Sequence, residues 1–216
     1  MRGGAPLEGA LMLPKIELVR SEAAPATVLS RSEAASVLGV SVNTVAKLLD
    51  SGFLPGLNVA WVTALLQAPQ VRVTEGVLPV LRPGIPAVPS LEGDTRELTG
   101  AGARMADAPF LEASRQWWRC DADAIVSAGV LPVAMAGWVV GVLTVHGVEE
   151  TRRFARGEVR HSFTAELAGR VGTLEDKRSY GLMTKDPVVA ELTVSLLGAR
   201  VQEAVSGGPI AYLTAA

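Results

Sequence analysis

Between Ser30 and Gly52 the apolar residues recur twice at helical spacing, with a break at Gly39. Ser30 and Glu33, three residues apart, form the S-x-x-E pattern that satisfies the free N–H groups of a helix start. Ala34, Ala35, Val37 and Leu38 follow, and Gly39 is a helix stop because glycine accepts the left-handed conformation needed there. Ser41 is a cap for a second helix. Val42, Val45, Leu48 and Leu49 then fall at i, i+3, i+6 and i+7, a single apolar stripe. Asn43, Thr44 and Lys47 lie on the other side. Gly52 ends this helix, Pro55-Gly56 turns the chain, and Asn58 opens a third helix carrying Val59, Trp61, Val62, Leu65 and Leu66. Pro69 stops it.

Beyond Pro69 the pattern changes. Residues 69–98 hold Pro69, Pro79, Pro83, Gly84, Pro86, Pro89 and Gly93 and read as a linker with some edge structure, including a short strand over Val77–Leu81. Residues 99–216 mix periods. Pro109–Arg119 and Pro187–Val205 read as helices. Val130–Met135 and Trp138–Val145 read as buried strands joined at Ala136-Gly137, with further short strands at His161–Phe163 and Ile210–Leu213. Residues 1–27, broken by Pro6, Pro14 and Pro25, read as a leader arm. The expected class is therefore α+β: a three-helix unit over 28–68, a linker over 69–98, and a small-sheet or barrel domain with packed helices over 99–216.

Composition narrows this picture. The chain has 216 residues, 49% hydrophobic and 19% charged, which supports a packed core rather than disorder. From Ala124 to Val148 no Asp, Glu, Lys or Arg occurs, long enough for a membrane span, but Gly129, Pro132, Gly137, Gly141 and Gly147 break the run at turn positions and favour strands. Prolines and charges among the first twenty residues argue against a secretory signal, so a cytoplasmic location without membrane contact is expected. Cys120 is the only cysteine, and the two histidines, His146 and His161, have no zinc-ligand spacing with it. The Asp121/Asp123 pair suits a loop or a helix cap better than a metal. No phosphate-binding loop, nucleophile elbow, zinc-protease or dinucleotide motif is present. No cofactor, metal or catalytic residue is expected.

Ser30, Glu33-Ala34-Ala35, Leu38-Gly39-Val40-Ser41, Asn43-Thr44-Val45 and Asp50-Ser51-Gly52 together resemble the excisionase and MerR-like helix-turn-helix family. That resemblance implies binding to double-stranded DNA by a small winged helical domain whose second helix enters the major groove. Ser41, Asn43, Thr44 and Lys47 stand where that family meets the groove, and their chemistry suits base edges and phosphates. Arg31 could hold the DNA backbone, and Asn58 is the polar residue following the second helix. The chain departs from the family in the wing, where Phe53-Leu54-Pro55-Gly56-Leu57 carries no Arg or Lys. Within 30–68, Arg31 and Lys47 are balanced by Glu33 and Asp50, so phosphate attraction by one copy is weak. A homodimer would compensate, since two linked modules gain from effective concentration.

The C-terminal part is similar to PUA-like domains, including the ASCH and EVE groups, at Trp117-Trp118, at Gly137–Val142 and at Arg160–Phe163. That similarity implies a small barrel reading nucleic acid in a pocket near Trp138, His161 and the arginines. Arg152, Arg153, Arg156, Arg160 and His161 form the densest basic cluster, a second nucleic-acid contact or a solvated loop, with Glu149, Glu150 and Glu158 interspersed. The leading expectation is a sequence-specific DNA-binding protein, either a transcriptional regulator or an excisionase-like accessory factor. In the alternatives, the helices serve a protein–protein adaptor with a partner bound through the C-terminal domain, or the chain is a PUA-like reader or processor of nucleic acid.

Overall fold

The computed structural model describes residues 27–90, 92–154, 157–201 and 208–215. The expected leader arm lies outside the described residues save for Thr27. The chain is α+β, with six α-helices and a six-stranded sheet curled into a half-barrel among the described residues. Three helices come first: α1 (Arg31–Leu38), α2 (Val42–Asp50) and α3 (Val59–Leu66). Strand β1 (Val77–Leu81), helices α4 (Asp107–Arg115) and α5 (Ala122–Ala128), and strands β2 (Val130–Met135), β3 (Trp138–Arg153), β4 (Val159–Val171) and β5 (Tyr180–Leu182) follow. Helix α6 (Pro187–Leu196) and strand β6 (Ile210–Thr214) complete the described elements.

The caps behave as the polar residues at each boundary dictate. Ser30 and Glu33 form the reciprocal capping box of α1, and Gly39 closes that helix with φ 64°. Ser41 Oγ accepts from the Thr44 N–H at 3.1 Å, and Asn58 Oδ1 accepts from the Ala60 N–H at 2.8 Å. Asp121 caps α5 in the same way, accepting from the Ala124 N–H at 3.0 Å. Helix α5 occupies the start of the charge-free run, which the strand-like composition of its continuation had masked.

The strands lie in the order β5-β4-β3-β2-β1-β6. Neighbours are antiparallel except β1 and β2, which run parallel in register Leu81 to Val133. Strand β1 therefore sits inside the sheet, although it lies in the Pro/Gly-rich segment 69–98. The β2–β3 hairpin turns at Ala136 (φ 52°) and Gly137 (φ 95°), the two positive angles that a tight two-residue turn between twisted strands requires. Strand β3 is buried over its first half, Trp138–Leu143, and exposed over most of its second half, where it forms a ribbon with the start of β4. Strand β4 is far longer than the His161–Phe163 segment expected, because Gly169 and the buried Arg170 interrupt the alternation of its sequence pattern. Arg170 is held by Asp107 at 3.0 Å and by the Gly102 carbonyl at 2.9 Å.

One continuous core joins the helices to the sheet. Ala34, Leu38, Val45, Leu48, Phe53, Leu54 and Leu65 belong to the same buried cluster as Leu81, Phe110, Trp138 and Phe163. Burial of each large apolar side chain contributes about 1.5–3 kcal/mol. Phe53 and Leu54 are fully buried, which accounts for the absence of basic residues after α2: that segment is packed inward.

The C-terminal helix ends earlier than its apolar run suggests. Helix α6 stops at Leu196, and Gly198 takes φ 74°. Residues 198–201 then run extended between the helices and the sheet. The Gly198 N–H donates to Val139 O at 2.8 Å, Val139 N–H to Ala199 O at 2.9 Å, and Val201 N–H to Gly137 O at 2.8 Å. On the other side Arg200 N–H donates to Pro69 O at 2.7 Å and Val71 N–H to Arg200 O at 2.8 Å. Residues 202–205 of the expected helix lie outside the described residues. Helix α4 likewise ends at Arg115, short of Trp117-Trp118, because the Trp118 backbone pairs with that of His161 in β4 at 3.0 Å in both directions.

Gly198 leaves no room for a side chain. A Cβ there would stand 2.3 Å from the Tyr180 hydroxyl oxygen, at a backbone angle that already disfavours alanine. Gly198→Ala is expected to lower stability by at least about 2 kcal/mol, read as a lower urea midpoint at unchanged slope.

Candidate nucleic-acid interface

The polar edge of α2 faces outward. Ser41, Asn43 and Lys47 are exposed and Thr44 is half-buried, while Val45 and Leu48 are fully buried on the opposite side. The Ser41 and Thr44 hydroxyls lie 2.9 Å apart at the helix start. Asn43 and Lys47 occupy successive turns of the exposed edge, the spacing at which two side chains follow one groove. Arg31 is exposed at the start of α1. Asn58 is half-buried and committed to capping α3, and its backbone pairs with Val28.

Two adjoining cavities border this edge. The first, about 460 Å³, is lined by Ser41 and Thr44 of α2, Gln70, Ala136-Gly137, and Arg200-Val201. The second, about 420 Å³, shares Ala136, Gly137 and Val201 with the first and adds Lys47, Arg82 and Pro83. Together they form a groove between α2 and the β2–β3 turn. Among the described residues lining it, Lys47, Arg82 and Arg200 are cationic and none is a carboxylate. Arg200 Nη1 donates to Leu38 O at 3.2 Å, and its guanidinium lies 5.1 Å from the Trp138 ring centroid. Arg82 Nη2 donates to Gly208 O at 2.8 Å. A guanidinium has five donors, so Arg200 holds the fold and still presents donors to the groove. The free N–H groups of the α2 start add partial positive charge.

Arg82, Arg200 and Gln70 were not among the residues singled out in the sequence. They lie far from α2 along the chain and meet it only through β1 and the 198–201 segment, which no local pattern announces.

The second basic cluster sits elsewhere. Arg152, Arg153, Arg160 and His161 lie on the exposed ribbon of β3 and β4, at the other end of β3 from the Ala136-Gly137 turn. A strand of 16 residues spans about 50 Å at about 3.3 Å per residue. The two cationic regions are thus separated by nearly the whole length of β3. Arg156 lies outside the described residues. Arg152 pairs with Glu150 at 2.9 Å and lies 4.1 Å from the Trp117 ring centroid. Arg160 pairs with Glu158 at 2.6 Å and donates to Trp117 O. Arg153 donates to Gly157 O at 3.3 Å, and His161 Nδ1 lies 3.0 Å from Thr151 Oγ1. Carboxylates from the same ribbon neutralise much of this cluster. Trp138 is buried at the far end of β3 from His161.

Beside this ribbon a buried ion pair organises the loop before α4. Arg96 and Asp94 meet at 2.6 Å with side chains 5% and 2% exposed. Arg96 also donates to the Ala113 and Gln116 carbonyls and stacks 5.3 Å from the Trp118 ring centroid. Burial pushes the Asp94 carboxyl upward, but hydrogen bonds and charge from Arg96 outweigh it and hold the group below the ordinary carboxylate range. Cys120 is half-buried, and burial, then the Asp121 charge, push its thiol up to about 12. No group of three or more metal-ligating side chains occurs among the described residues. No helix among them is long and apolar enough to cross a membrane.

Comparison with protein-family models, with curated proteins and with solved structures finds no match to this chain. The functional reading therefore rests on residues and geometry.

Asp94→Ala leaves Arg96 buried without its carboxylate and is expected to cost about 3–5 kcal/mol in urea unfolding. The pair's contribution is present above the unfolded carboxyl pKa of about 3.9 and is lost as pH falls through the lower folded value. Cys120 in the native protein should react with a disulfide reagent at about pH 8 far more slowly than in urea, since only the thiolate attacks.

Proposed function

We propose that this chain is a sequence-specific double-stranded DNA-binding protein, a cytoplasmic transcriptional regulator or excisionase-like accessory factor without catalytic activity. Helices α1 and α2 act as a helix-turn-helix, and α2, starting at Ser41, enters the major groove. The observation that carries this reading is the exposed edge Ser41, Asn43, Lys47 beside a cationic groove free of carboxylates among its described lining residues. Asn43 reads a base edge, Ser41 and Thr44 approach a phosphate at the helix start, and Lys47, Arg82 and Arg200 neutralise the backbone. Arg82 and Arg200 take the part of the missing basic wing. Arg31 contacts the backbone from α1. The ribbon arginines Arg152, Arg153 and Arg160 are too distant to join the same contact within one copy; a homodimer would bring a second module to the duplex.

A protein–protein adaptor is the second reading. The core shared by α1–α3 and the sheet favours it, because helices so packed also serve as structural walls.

A mobility-shift assay on random duplex pools at low salt separates the two. DNA binding predicts a shift and a selected sequence, and the adaptor predicts no shift at any duplex concentration. On the selected duplex Asn43→Ala is expected to cost about 1–3 kcal/mol. Lys47→Gln should weaken binding to all sequences and reduce the salt slope by about one. An Asn43→Ala variant that binds the selected duplex unchanged overturns the assignment of the reading face.

A further inference from the structure

A separate cleft of about 590 Å³ opens between the C-terminal ends of α3 and α6 and the chain leading into β5. This volume falls in the range of small-molecule sites, roughly 300–1,000 Å³. Its floor is apolar, with Leu65, Trp138 and Leu174 buried. Its wall carries Glu175, whose Oε2 is buried without a hydrogen-bond partner. A buried acceptor left unsatisfied is costly, so a donor arriving from a ligand is favoured there. The nearest hydroxyl cannot supply it, since Tyr180 donates its proton to Leu174 O at 3.0 Å.

The helix ends reinforce the sign. The last turns of α3 and α6 both border the cleft, and neither contains a basic residue. Helix C-termini carry partial negative charge and stabilise cations. Lys177, the one cation among the lining residues, is exposed at the rim and makes no ion pair with Glu175.

We propose that this cleft binds a small amine with an apolar body, its ammonium on Glu175 and its hydrocarbon against the exposed side chains of Leu182 and Val194 above the Leu65–Trp138–Leu174 floor. The proposal is independent of the nucleic-acid reading.

Tryptamine and indole-3-acetate, which share a ring and differ in charge, test it. Each is titrated into the full-length protein and followed by calorimetry and by the shifts of the Trp138 indole and Tyr180 ring resonances. Tryptamine is expected to saturate with a dissociation constant of about 1 mM or tighter, with indole-3-acetate at least about tenfold weaker. Glu175→Gln keeps the shape of the side chain and should weaken tryptamine by about tenfold or more. Ala64→Trp, at an exposed position on the cleft wall, should abolish binding while leaving the urea midpoint near that of the parent. The proposal falls if tryptamine does not saturate by about 10 mM, if both indoles bind alike, if indole-3-acetate binds better, or if Glu175→Gln leaves tryptamine affinity unchanged.

Discussion

The extended segment at residues 198–201 is the constraint on which the rest of the molecule depends. Its backbone bonds in one direction to Gly137 and Val139 at the head of the sheet and in the other to Pro69 and Val71 below α3. The Arg200 side chain then reaches the last carbonyl of α1 and lies over Trp138. Apart from this segment the helices and the sheet meet through apolar surface, which is non-directional, and through single bonds such as Trp138 Nε1 donating to Leu65 O at 3.3 Å and Leu174 N–H donating to Phe53 O at 2.9 Å. With it, their relative placement is set by hydrogen bonds of defined length. The same residue, Arg200, forms a wall of the groove beside α2, so the geometry of the proposed interface and the packing of the fold are governed by one side chain.

The sheet divides its work along its length. The first half of β3 is buried and supports the groove at the Ala136-Gly137 turn, while the second half pairs with β4 as an exposed ribbon rich in both charge signs. Charge on the ribbon is largely matched by Glu150 and Glu158. The described residues lining the groove include Lys47, Arg82 and Arg200 and no carboxylate.

Much of the helical part was legible in the sequence because its signals are local. Capping by Ser30, Ser41 and Asn58, the stop at Gly39 and the stripe Val45–Leu48 each depend on residues within a few positions of one another. The β2–β3 hairpin was legible for the same reason. Strand β4 was not, because its stabilisation comes from pairing with β3 along its length and with β5 at its end, while buried Arg170 and small Gly169 break its local pattern. The interior position of β1 was hidden by Pro79, which occupies a strand whose pairing with β2 is registered only at Leu81. The cationic groove was hidden altogether. Arg82 and Arg200 have no pattern in common with α2, and only long-range pairing brings them to it.

The bond from Arg200 to Leu38 spans 162 positions along the chain. Contacts of such separation slow folding, since loop-closure entropy must be met before they form. During synthesis α1–α3 leave the ribosome well before the segment at 198–201 that anchors them. These helices are therefore made well before they can reach their final position, and a nascent chain that has not yet reached residue 198 carries them without this tether.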